Sequence, residues 1–189
     1  RKVRAAPYTI NTGVTGIGTE TQVVPNPSIA PGSGTNYRFS TEREKLGMDF
    51  FKYLTPNLNL KVNFTNEDKD GNRHWRVGGQ PEFAAMPIDY NMRLLEAILN
   101  YTGEKLQLSG GYSGSWFENS DDLLTATRTG TPYYLSMPMD SEAHQAYLSG
   151  AYRFTPTTQG TFKVSYTRAT QDEHLPTADI PGLASALAP

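Results

Sequence analysis

The sequence contains no cysteine among its 189 residues. That excludes disulfides, thiolate metal sites and covalent haem attachment through C-x-x-C-H within this segment. No run approaches the roughly 18 apolar residues of a membrane-crossing helix, and the mean hydropathy is −0.53. Strands, whose wet faces stay polar, are not subject to that length rule. Basic charge is not in excess either. Seventeen Lys and Arg stand against nineteen Asp and Glu, a net charge of −2, so phosphate-backbone binding is not indicated and no nucleic-acid partner is expected.

Catalytic motifs are also missing. There is no nucleophile elbow, phosphate loop or carboxylate pair at useful spacing. Gly16 and Gly18 form a lone G-x-G without strand or helix context. Asp68-Lys69-Asp70-Gly71-Asn72 looks like the start of a calcium loop. It lacks the Gly at the sixth position and the Glu at the twelfth, so a solvated acidic loop start is the better reading. His74, His144 and His174 are too far apart for paired metal ligation, and His174, beside Asp172 and Glu173, is taken as a loop residue. No enzyme, no metal and no catalytic residue is expected. The chain begins at Arg1 without an initiator Met and closes on a Pro-, Gly- and Ala-rich stretch, so it is expected to be a fragment of a longer chain.

What is present is alternation. In Leu58-Asn59-Leu60-Lys61-Val62-Asn63-Phe64 every second residue is apolar, the period of a strand with one greasy and one wet face. Similar runs recur in pairs. The first pair turns at Thr55-Pro56-Asn57, the second at Thr102-Gly103-Glu104, the third at Thr155-Pro156-Thr157. Pro suits the first central position of such a turn. The spacing of roughly 50 residues amounts to an internal repeat. Three segments follow: a Gly/Pro-rich loop or lead-in over 1–36, about six strands of 10 to 12 residues over 37–174, and a terminal loop over 175–189. Long loops are expected at about 67–87 and 119–141.

Strand phase puts Leu46, Met48, Phe50, Leu58, Leu60, Val62, Phe64, Leu106, Leu108, Phe162 and Val164 on the apolar side. Lys61, Asn63, Glu96, Lys105, Gln107, Lys163 and Thr167 fall on the polar side. Leu94 and Ile98 blur the alternation in their strand. Tyr101, Tyr112, Trp116, Tyr152, Phe154 and Tyr166 lie towards strand ends on the apolar side, as aromatic girdles do, although aromatic residues favour strands in any case. Strand length and short turns opposite long loops favour a transmembrane β-barrel over a soluble sheet. The expected fold is all-β, an antiparallel up-and-down meander of three long hairpins forming part of a large outer-membrane barrel. The apolar set would then face lipid and the polar set the lumen. Six strands are too few to close such a barrel.

The ordered set of Glu42 to Phe50, Leu54-Thr55-Pro56, Asn66 to Gly71, Ile88-Asp89-Tyr90, Tyr101 to Leu108, Gly111 to Phe117, Ala143-His144-Gln145, Tyr152 to Thr158 and Thr170 to Pro176 resembles the decahaem-associated outer-membrane proteins of the MtrB/PioB type. The resemblance covers about residues 37–177. It implies a bacterial outer-membrane barrel that sheaths a periplasmic multihaem cytochrome and so carries electrons across the membrane. It further implies that haem belongs to the partner and that this chain holds no cofactor. The cysteine pair of some members near their N-terminus is not in this sequence. A diffusion porin or transporter barrel shares every strand-level feature, and a soluble β-sheet binding module is the remaining alternative.

Overall fold

The computed structural model describes residues 2–10, 14–24, 35–77 and 82–171. Every regular element among them is a strand. These are β1 (Lys2–Ile10), β2 (Thr21–Val24), β3 (Thr35–Thr55), β4 (Leu58–Val77), β5 (Glu82–Thr102), β6 (Leu106–Asn119), β7 (Leu123–Arg128), β8 (Thr131–Ser136), β9 (Ser141–Thr155) and β10 (Thr158–Thr170). Seven form one sheet in the order β1-β3-β4-β5-β6-β9-β10, and β2-β7-β8 form a second. All pairings in the large sheet are antiparallel. It is the expected meander of three hairpins, widened by β1.

The tight turns fall where proline puts them. Pro56 and Pro156 each occupy the two-residue gap between paired strands. Proline fixes φ near −65°, so these turns cannot take the primed geometry that best matches strand twist. A register shift beside each turn, between Tyr53 and Thr55 and between Thr158 and Gln159, absorbs the mismatch. At Gly103 the amide donates to the Leu106 carbonyl at 2.8 Å and closes the β5–β6 turn.

Three sequence expectations change. Residues 1–36, read as a loop or lead-in, contain β1 paired with β3 and β2 in the second sheet. The Gly16 and Gly18 pair lies in the turn that precedes β2, both at positive φ. Residues 67–87 are largely strand rather than loop, because β4 and β5 stay in register from Glu67↔Met92 out to Val77↔Glu82. Residues 119–141 hold the β7–β8 hairpin. Its turn residues, Thr129 and Gly130, have φ of 47° and 83°, the signature of a primed turn. Thr is an uncommon choice there, which hid the hairpin in the sequence. The terminal loop read over 175–189 lies outside the described residues.

The small sheet covers one face of the protruding β4–β5 hairpin. Leu124, Ala126 and Met137 are buried against Ala84, Met86 and Trp75, with Tyr133 and Leu135 packed alongside. This is where the described residues bury their core. The wide sheet below it leaves large apolar side chains exposed, Val164 at 65% and Tyr166 at 71% among them.

Candidate functional site

The candidate site is the sheet itself, which has two unlike faces. Register alone assigns them, because side chains directly opposite across a ladder share a face. One row reads Phe50, Val62, Ala97, Tyr112, Ala146, Tyr166. Rows above and below it on the same face hold Leu46, Met48, Leu58, Leu60, Phe64, Leu106, Leu108, Phe162 and Val164. The whole set read as lipid-facing therefore shares one face. Tyr101, Tyr152 and Phe162 border it at the turn end. Trp116 borders it at the other, whereas Tyr112 and Tyr166, expected towards strand ends, stand within the band in the Val62 row. From Leu106 to Trp116 is about 33 Å along β6 at about 3.3 Å per residue, or about 25 Å of height at a strand tilt of about 40°. That matches the apolar band of an outer-membrane barrel.

From the Trp116 row outward the same face is polar, with Arg93 and Glu142 directly opposite Trp116 and His144 one row nearer the turn end. Arg93 pairs with Glu118, and Glu142 lies 3.7 Å from His144, whose Nδ1 is 2.7 Å from the Tyr112 hydroxyl. Further out, Glu42, Glu44, Asp68, Asp70 and Asp89 are register neighbours on this face. The band thus ends in aromatic, then paired, then acidic side chains, the order in which hydrocarbon gives way to headgroups and water.

The opposite face carries hydrogen-bonded polar rungs. Asn100 donates to Asn59 at 3.1 Å and Ser109 donates to Asn100 at 2.8 Å. Two rows up on the same face, Asn63 donates to Glu96 at 2.8 Å and Gln145 to Thr167 at 3.1 Å. Lys61, Asn63, Glu96, Gln107, Lys163 and Thr167 all fall on this face, with Asn63, Glu96 and Thr167 in one row. Lys105 does not belong to a strand. It sits in the β5–β6 turn, where its carbonyl accepts from the Arg153 amide, so strand phase assigns it no face.

Sequence reasoning missed that this polar face is also partly apolar. Phe51, Leu94, Ile98 and Tyr147 lie on it at the height of the apolar band behind them. Phe51 is 54% exposed and Leu94 39%. Tyr147 lies flat over Gly111, where a β-carbon would collide with its ring. The blurred alternation at Leu94 and Ile98 was the available signal. Above them, Met92 and Phe117 continue the apolar component.

Charge is unevenly shared between the faces. On the polar face stand Arg43, Lys45, Lys61, Lys69, Arg73 and Lys163 against Asp49, Glu67 and Glu96. Arg43 is held by Glu67 at 3.1 Å. At the rim, where the small sheet joins, burial raises the Asp121 carboxyl above the ordinary carboxylate range, and Glu20 and Asp89 raise it further. Among the described residues, no group of His, Asp and Glu has the arrangement of a metal site.

A family model described as "Putative outer membrane beta-barrel porin, MtrB/PioB" matches residues 1–188. No curated protein matches the chain.

Proposed function

The chain belongs to the MtrB/PioB family of outer-membrane β-barrel porins, and from that premise we propose that its wall sheaths a multihaem c-type cytochrome in an electron conduit across the bacterial outer membrane. The sheet supplies staves. Its apolar face meets lipid and its polar face meets the lumen. Among the described residues, β10 has no partner on its far side, and neither has β3 over 43–55. Each unpaired backbone group at such an edge costs several kcal/mol in hydrocarbon, so further strands complete the wall.

The observation that carries the cytochrome is the mixed character of the lumen face. A water-filled pore gains nothing from Phe51, Leu94, Ile98 and Tyr147 set among Asn, Ser and Lys. A protein occupant buries them, and the combination of apolar patches with polar and cationic rungs is that of a protein–protein interface. The role of this chain is then insulation and positioning. It keeps lipid and bulk water from the haems and holds their carrier at fixed height. The electron-transfer chemistry belongs to the partner's haems.

A diffusion porin is the second reading, favoured by the family's description as porins. Purifying the full-length protein from outer membranes separates the two. Haem absorbance co-eluting with the barrel supports the sheath. A haem-free barrel that passes small solutes when reconstituted rejects it.

A further inference from the structure

Building on the filled-lumen reading, we propose that the cleft beneath the β2–β7–β8 lobe is a docking seat for an acidic segment of the lumen partner, and that the lobe sets how far the partner travels towards the mouth opposite the tight turns. The lobe lies on the lumen side. The residues it covers, Trp75, Ala84 and Met86, share their face with Lys69 and Tyr90 by unbroken register. Anything advancing along the lumen face from the turn end therefore meets the lobe.

Directly below the lobe is a cleft of about 330 Å³, lined by Lys69, Arg73, Met86, Tyr90, Phe117 and Met137 among others. Its chemistry is specific. The Lys69 ammonium stands 5.2 Å from the Tyr90 ring centroid. Tyr90 and Phe117 are in contact, with centroids 5.2 Å apart at 44°. Arg73 donates through Nε to the Met86 sulfur at 2.8 Å. Neither Lys69 nor Arg73 has an acidic partner among the described residues. Two cations with unmatched charge, over an aromatic and methionine floor, fit a carboxylate-bearing segment with an apolar neighbour. The seat is continuous with the lumen face, so the partner that fills the lumen is the occupant the geometry selects. Partner charge opposite to Lys69 and Arg73 also gives register along the pore axis, which uncharged rungs supply less well.

The test uses the full-length protein with its cytochrome in native outer membranes. Lys69→Glu combined with Arg73→Glu should release half of the haem protein at about half the NaCl concentration that wild type needs, since the lost attraction is the screened one. Heat-modifiable gel mobility reports whether the variant barrel is folded. Zero-length carbodiimide cross-linking of the wild-type complex is independent of that. It should join the Lys69 amine to an Asp or Glu of the cytochrome. Unchanged salt release from a folded variant, or Lys69 linked only to carboxylates of its own chain, overturns the seat and leaves the sheath standing. Absence of any haem protein from wild-type preparations overturns the sheath itself.

Discussion

The side-chain amide of Gln22 grips both backbone groups of Ala85: its Nε2 donates to the Ala85 carbonyl, and its Oε1 accepts from the Ala85 amide at 3.0 Å. The β6 strand pairs with β5 only as far as Tyr90, and the Ser120 amide closes the last bond on Asp89. Past that point no strand among the described residues pairs with this edge of β5. Gln22, fully buried, stands in for the missing strand and fixes the lobe to the wall.

Gln22→Ala leaves two buried backbone groups without partners. The cost is about 1–3 kcal/mol for each such group, falling on attachment of the lobe rather than on the wall. Amide exchange in β7 should accelerate by about tenfold or more, while barrel mobility on gels stays that of wild type. Unchanged exchange in β7 would remove Gln22 from this role.

Adjacent residues of β4 should respond in opposite ways. Val62→Arg places a charge at mid-height on the apolar face and should weaken folding into lipid vesicles by about 2–4 kcal/mol. Lys61→Leu, on the lumen face, should change it little. A larger loss for Lys61→Leu would invert the assignment of the two faces.

The lobe's attachment should depend on pH through Asp121. Burial, Glu20, Asp89 and Asp122 all raise its carboxyl in the folded protein. A carboxyl whose folded pKa lies above the unfolded value binds its proton more tightly when folded. Its contribution is then fully present below the unfolded pKa and lost as pH rises through the folded one. Exchange protection in β7, corrected for intrinsic rate, should fall as pH rises across that window. Asp121→Asn should flatten the change, and a protection profile that is the same in both proteins would rule Asp121 out.

The wall was legible in the sequence because barrel strands write their faces at period two. Leu58 to Phe64 could be assigned on inspection, and the Thr-Pro turns marked the strand ends. The lobe was not legible. β2 has four residues and β7 six, too short for periodicity to speak, and β2 pairs in parallel with β7 across a hundred residues. The extension of β4 over Glu67-Asp68-Lys69-Asp70 was hidden for another reason. Its acidic and amide residues disfavour strands intrinsically, but the paired β5 backbone and the lobe packed on Trp75 override that preference. Leu94 and Ile98 looked like noise in the pattern; register places both on the polar face, where they make it partly apolar.

The central claim is that one face of this wall is covered by lipid and the other by a protein. The segment has no native cysteine, so Asn63→Cys gives one reactive group on the lumen face. Its labelling rate by a water-soluble maleimide should be measured in outer membranes with and without the cytochrome. Protection is expected when the cytochrome is present and rapid labelling when it is absent. Equal, rapid labelling in both would contradict the claim.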